Sequence, residues 1–286
     1  MKRLRIDHET EYGFDTAVAL LPHRILVRPR GSHNLRIASS TLEISPEATL
    51  HWHRDALDNS VAVATFSPSP VMSLRIMSSV VIEQYERAPL DFSVEQYAVT
   101  HPFDYQASEA RVLEPFRVAS WPGDAADVER WLVQLGLRTG PIETFVLLDR
   151  MNRAIHDSFR YQAREEAGVQ SPSRTLELGT GSCRDFAALF HESCRALGLA
   201  SRFVSGYLHA PGLLAQHGAT HAWCETYLPG AGWKGFDPTS GELSGANHIP
   251  VAVAHHPQDV PPIAGSFVGS KQQPVMRVTV HVRSAD

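Results

Sequence analysis

Hydrophobic and polar residues alternate over most of the first ninety positions. Leu4, Ile6, Thr10, Tyr12 and Phe14 recur at period two, with His8 the polar member of that face. The alternation returns at Leu35 and Ile37, at Leu42 and Ile44, and along Leu74, Ile76, Val80 and Ile82. A period of two places one face of a strand on a core and the other in water. Turn formers separate the runs at Pro29-Arg-Gly31, Ser45-Pro46 and Ser67-Pro-Ser-Pro70. Asp58-Asn59, between His51-Trp-His53 and Val61-Ala-Val63, predicts a hairpin turn, because Asp and Asn accept φ > 0. This segment reads as an antiparallel β-sandwich with Tyr12, Phe14, Trp52 and Phe66 in its core.

The period changes beyond about residue 105. An acidic start at Asp124-Ala-Ala-Asp127 predicts a helix running to Leu135. Pro141 is expected to open a second helix carrying the stripe Leu148, Met151, Ile155 and Phe159. A third follows Gly179-Thr-Gly-Ser182. Three strands are predicted at Arg202–Leu208, Thr220–Leu228 and Gly232–Phe236. A loop-rich tail follows, and a last strand at Pro274–Val282. Helices followed by strands give an α+β class, with a sandwich over 1–90 and a second domain over 91–286.

Composition narrows the possibilities. With 286 residues, 43% hydrophobic and 20% charged, the chain has ordinary globular composition and length enough for one large or two ordinary domains. A net charge of −5 argues against nucleic acid or an anionic membrane as partner. Basic residues near the N-terminus precede no apolar run, and no stretch approaches the roughly 20 apolar residues of a spanning helix. The expectation is a cytoplasmic protein. Three cysteines with no Cys-x-x-Cys pair form neither a disulfide framework nor a zinc knuckle. His51 and His53 share a strand face and His255-His256 are adjacent, but no further ligand completes either set, so no metal or cofactor is expected.

Cys183 carries the chemistry. It falls in the first turn of the third helix, where unpaired N–H groups and the helix dipole favour a thiolate. The dipole supplies part of what is needed to ionise a thiol at neutral pH, so a cationic partner is required. On a helix Cys183, Ala187, Phe190, Cys194 and Leu197 share one stripe, which turns the thiol toward the domain body. Cys194, about 16 Å further along the axis, is a packing residue, and so is Cys224. His221 opens a strand on one face with Trp223, Glu225 and Tyr227, and Asp237 ends the next. A hairpin between them would set the Asp237 carboxylate against the His221 imidazole, giving a thiolate–imidazolium pair with an orienting acid.

The surrounding residues are more specific than the spacing. Gly181-Ser-Cys-Arg-Asp-Phe-Ala187 with Cys194-Arg-Ala-Leu-Gly198, Ala200-Ser-Arg-Phe-Val-Ser-Gly-Tyr207, His221-Ala-Trp-Cys-Glu225 and Gly232-Trp-Lys-Gly-Phe-Asp-Pro-Thr239 together resemble the transglutaminase-like superfamily. The front half is similar to the β-rich region that precedes this core in bacterial members, at Asp58-Asn59, Tyr97-Ala-Val99 and Pro102-Phe103. The resemblance implies a papain-like α+β core with Cys183 as nucleophile, His221 as acid and base, and Asp237 as orienter. It further implies a cysteine protease or amidase working through a thioester acyl-enzyme on a peptide or protein. A transglutaminase using an amine acceptor and a non-catalytic binding scaffold are the alternatives, and a homo-oligomer is allowed. One departure stands out: Glu177 occupies the place of the papain-type Gln six residues before the cysteine, and an ionised carboxylate cannot donate to an oxyanion. Tyr161 is the candidate donor beside the Cys183 N–H. Arg184 and Asp185 read as structural charge pairs, and Trp223 and Trp233 as core.

Overall fold

The alternating segment forms six strands: β1 (Lys2–Leu20), β2 (His23–Ile25), β3 (Leu35–Ser45), β4 (Ala48–Arg54), β5 (Ser60–Phe66) and β6 (Val71–Gln84). The computed structural model describes residues 1–85, 90–164, 166, 168–209 and 220–285. β1, β6 and β3 lie side by side in one antiparallel sheet, and β2, β5 and β4 in another. Phe14, Val18, Leu20, Ile25, Ala62, Ala64, Leu74 and Ile76 fill the space between them. The sandwich is the expected one, with two local differences. Leu35 and Ile37 fall on odd positions and Leu42 and Ile44 on even ones, yet all four belong to the single strand β3. A register shift between Ile37 and Ser39 exchanges its faces. Trp52 is not core: it lies 45% exposed on the edge strand β4, covered by the Arg28 guanidinium at 6.0 Å.

The β4–β5 turn has the expected left-handed residue, Asp58 at φ 60°. It also docks the two halves of the protein. Asp55 accepts the N–H groups of Leu57 and Asn59, which holds Asn59 buried. The Asn59 side chain then donates to the Val253 carbonyl and accepts the Val253 N–H, both at 2.8 Å.

The second half is built on five helices, α1 (Ala107–Leu113), α2 (Ala125–Gln134), α3 (Thr144–Ser158), α4 (Pro172–Leu178) and α5 (Cys183–Ala196). Two pairs of short strands tie them together: β7 (Thr100–His101) with β8 (Ile142–Glu143), and β9 (Arg160–Tyr161) with β10 (Thr180–Gly181). Pro141 does not open a helix. Ile142 and Glu143 pair as β8 with the chain at His101 and Thr100, and α3 begins at Thr144, whose hydroxyl donates to the Ala98 carbonyl. The five-stranded antiparallel sheet follows, β14 (Glu242–Leu243), β13 (Gly232–Asp237), β12 (His221–Leu228), β11 (Ser201–Leu208) and β15 (His248–Ala254) in spatial order. No helix among the described residues is long and apolar enough to cross a membrane.

The division at residue 90 fails at the other end of the chain. β16 (Ile263–Ala264) pairs with β2, and β17 (Phe267–Val268) pairs with β1. β18 (Val275–Ser284) runs antiparallel to β1 from Leu4↔Ser284 to Gly13↔Val275. The last strands therefore complete the sandwich, and β1 is paired on both edges. The apolar core is likewise continuous, with Leu4, Ile6, Val80 and Ile82 in one cluster with Phe190, Tyr207, Ile249 and Val251.

Candidate active site

α5 begins where three backbone constraints meet. α4 ends at Gly179, whose left-handed φ of 64° turns the chain back. Thr180 and Gly181 then pair in parallel with Arg160 and Tyr161. Gly181 has no room for a side chain, since a Cβ would stand 2.9 Å from that of Asp185. Asp185, with no exposed surface, closes the turn: its Oδ2 accepts from the Ser182 N–H and hydroxyl, both at 2.8 Å. Its Oδ1 accepts from the Arg164 guanidinium and the Gln170 N–H, each at 2.7 Å. Burial would raise this carboxyl, but Arg164 and those N–H bonds hold it below the usual range. Asp185 thus pairs with Arg164 rather than Arg184, which donates instead to the carbonyls of Arg164 and Glu166.

The helix that follows is buried on every side from Asp185 to Arg195, not along one stripe. Its polar side chains are matched inside. His191 donates to the His255 carbonyl and accepts from the Ser201 hydroxyl, and Glu192 pairs with Arg195 at 3.0 Å. Cys183 is the first residue of this rigid rod and is half-buried.

The predicted hairpin forms between β12 and β13. His221 Nε2 lies 2.8 Å from Asp237 Oδ2. That leaves Nδ1 as the ring nitrogen open to Cys183, whose thiol is near enough to help raise the imidazole. Burial disfavours a charged His221, but the Asp237 charge and hydrogen bond, followed by Cys183, outweigh it and raise the imidazole to about 10. Asp237 has no exposed surface, and its carboxyl is held well below the usual range despite burial, by the charges and hydrogen bonds of His221 and His248. Its other oxygen accepts the Thr239 N–H at 2.9 Å.

Residues 141–238 match the family model of the transglutaminase-like superfamily, and residues 4–83 that of the bacterial transglutaminase-like N-terminal region. The chain belongs to the transglutaminase-like superfamily. An uncharacterised protein of Mycobacterium tuberculosis is 28% identical over 98% of this chain and 92% of its own length. One of Mycobacterium leprae is 26% identical over 94% of each. The solved structure of a provisionally assigned cysteine protease from Cytophaga hutchinsonii superposes with a TM-score of 0.73 at 18% identity, covering 100% of this chain and 92% of its own. That likeness is one of fold.

Within this transglutaminase-like fold the remaining sequence candidates fall into place. Tyr161 sits on β9 beside Gly181, 49% exposed, with its ring edge against Phe186. Burial first and the neighbouring Cys183 second raise its phenol, so the hydroxyl keeps a proton to donate. Glu177 is exposed and paired with Arg174 at 2.6 Å, away from any oxyanion role. Gln170 lies near the helix start, but its amide is already given to Thr180 and Asp185. Cys194 and Cys224 have no exposed surface, and burial pushes the first up to about 12 and the second well above its ordinary value. His51 and His53 are exposed on β4. Trp223 is core at 1% exposure, while Trp233 is partly covered by the Arg202 guanidinium at 4.3 Å. The segment from Pro211 to Gly218, whose small and apolar residues suit the rim of a peptide-binding cleft, lies outside the described residues.

His248 is the residue that the sequence reading missed. Its Nε2 stands 3.1 Å from the same Asp237 Oδ2 that receives His221. Among the described residues, His221, Asp237 and His248 offer ligand atoms within 4.8 Å of one another. The donor set does not suit a metal ion, because His248 Nδ1 accepts the Gly245 N–H at 3.2 Å. Nε2 therefore carries the proton and has no lone pair to give.

Proposed function

We propose that the protein is a thiol-dependent amide hydrolase acting on a peptide or protein. Superfamily membership supports a thiol hydrolase or acyl transferase in general. The observation that carries the finer reading is the His221–Asp237 hydrogen bond at 2.8 Å, with Cys183 at the start of α5 close enough to influence the same imidazole. With His221 already protonated, Cys183 acts as the thiolate of an ion pair: the sulfur attacks the amide carbon and the carbonyl oxygen takes the negative charge. The Cys183 N–H, which has no intrahelical acceptor at this position, and the Tyr161 hydroxyl are the donors available to it. The C–N bond then breaks, His221 gives its proton to the departing amine, and a thioester remains. Water attacks the thioester, giving its proton to His221 and releasing the acid, which regenerates the thiolate–imidazolium pair. Asp237 holds the imidazole orientation and stabilises its cationic form throughout.

Water is preferred over an amine as acceptor for an electrostatic reason. Glu225 shares its strand face with His221 and is the acid best placed to attract an amine. It is already bound to Arg202 at 2.6 Å, beside a cavity of about 290 Å³ that Arg30 and Lys234 also line. Neutralised by Arg202, Glu225 is not free to draw in a cationic amine.

A mixed peptide library is incubated with the protein, with and without millimolar putrescine, and protein and products are weighed. The proposal expects a covalent acyl adduct on Cys183 and hydrolysed peptides. Amine-coupled products as the majority would overturn the hydrolase reading. An adduct absent from the wild type, or present in Cys183→Ala, would overturn the mechanism. The cytoplasm is the proposed compartment, because all three cysteines are unpaired. Recovery of the chain outside the cytoplasm on cell fractionation would overturn that.

A further inference from the structure

A carboxylate that orients a histidine must itself be held. Asp237 is at the last position of β13, past the end of its pairing with β12 though still paired with Glu242 of β14, and its carboxylate accepts three hydrogen bonds. Thr239 N–H holds Oδ1, while His221 and His248 both meet Oδ2. His248 comes from β15, at the far side of the sheet from β13, so its contact does not follow from the β12–β13 hairpin. Its ring is 8% exposed and packs edge-on against Trp223 at 5.1 Å between centroids. Trp223 in turn lies nearly parallel to His221, at 30° and 6.1 Å. Gly245 N–H fills Nδ1, which fixes the tautomer with the proton on Nε2, toward the carboxylate. The ring therefore has one orientation, one tautomer and one acceptor.

We propose that His248 is a positioning residue, which donates from Nε2 to Asp237 Oδ2 and thereby keeps that oxygen in line with His221 Nε2. This rests on the Cys183–His221–Asp237 reading and deepens it. A purely space-filling His248 would serve equally well in the other tautomer. The groups that face the site are Cys183 from α5, His221 from β12, Asp237 from β13 and His248 from β15. Without the His248 donor, the carboxylate turns about its last torsion, its bond to His221 lengthens, and the imidazolium is less stabilised.

The test compares His248→Phe, which keeps the ring shape and removes the donor, with His248→Gln, whose amide N–H₂ reaches the Nε2 position. Iodoacetamide alkylation of Cys183 is followed against pH for each, with His221 titration read by imidazole NMR. His248→Phe should lower the His221 midpoint by about one pH unit, roughly a tenfold change in its protonation equilibrium. His248→Gln should restore it to within about 0.3 unit, a factor of about two. An unchanged midpoint in the Phe variant, or equal shifts in both, would overturn the inference. If the Phe variant does not fold, the tautomer decides. ¹⁵N imidazole spectra of the wild-type protein at pH 7 should show His248 protonated at Nε2 and bare at Nδ1, and the reverse refutes the role. Loss of the His221-dependent alkylation of Cys183 in the wild type would instead defeat the triad reading itself, so the two failures are separable.

Discussion

Replacing Asp237 by Asn removes one charge and keeps the shape, which isolates what the carboxylate does. Burial alone would push His221 below its ordinary value of 6.5, and the Asp237 charge is the largest influence raising it to about 10. The variant should therefore bring the His221 midpoint down toward 6.5, a fall of roughly three units, or ~4 kcal/mol at about 1.4 kcal/mol per unit. That agrees with the ~3–5 kcal/mol usually lost when one partner of a buried ion pair is removed. The stability consequence has a definite sign. A raised imidazole contributes fully below its unfolded value near 6.5, and the contribution is lost as pH rises toward 10. The depressed Asp237 carboxyl contributes above its unfolded value near 3.8 and is lost as pH falls through its native value. Between about pH 4 and 6.5 both are present, so the wild type should exceed Asp237→Asn there by several kcal/mol, with the gap narrowing toward pH 10. Urea unfolding across pH 4.5–10.5 and NMR titration of His221 measure the two effects. Parallel stability curves, or a His221 midpoint left near 10 in the variant, would refute the assignment of the shift to Asp237.

Three further outcomes follow from burial and pairing. Iodoacetamide near neutral pH should alkylate Cys183 well before Cys194 or Cys224, since both of these have no exposed surface, and equal labelling in folded protein would defeat the assignment. His221→Ala should abolish peptide cleavage and Asp237→Ala leave a residue of it, with the double variant no worse than His221→Ala alone. Additive losses would mean that the two do not act as a unit. Ending the chain at Pro262 removes β16, β17 and β18 and strips one edge of β1. The truncated protein should lose its cooperative melt by circular dichroism, and an unchanged melting temperature would show that the tail is dispensable.

The sequence made the local half of this structure readable. Period-two alternation located β1 and β6, because a half-buried strand writes its burial directly into its residue order, and the Asp58-Asn59 turn located β5. It caught β3 only as two short pieces of opposite phase, since a bulge reverses the phase without interrupting the strand. It also put Trp52 inside, because alternation reports a face and not whether another layer covers it. α1 and α4 were missed for a plainer reason: seven residues make two turns, too few for a helical period to stand out. Pro141 misled because its usual place at a helix start is equally compatible with the short strand that forms there.

The site divides along the same line. Cys183, His221 and Asp237 lie within motifs of a few residues, and the His–Asp contact follows from one hairpin, so local pattern was enough to name them. The supports come from further away and carry no local signature. Arg164 and Gln170 reach Asp185 from the segment before α4, and Asn59 reaches Val253 from the sandwich. His248 reads in sequence as one of fifteen histidines in a loop-rich tail. It becomes informative only when β15 pairs with β11 and the Gly245 N–H settles its tautomer. The same folding brings β18 back to β1, so that the tail carrying His248 is anchored at its end in the sandwich. The sandwich and the five-stranded sheet that carries His221, Asp237 and His248 therefore share one continuous core.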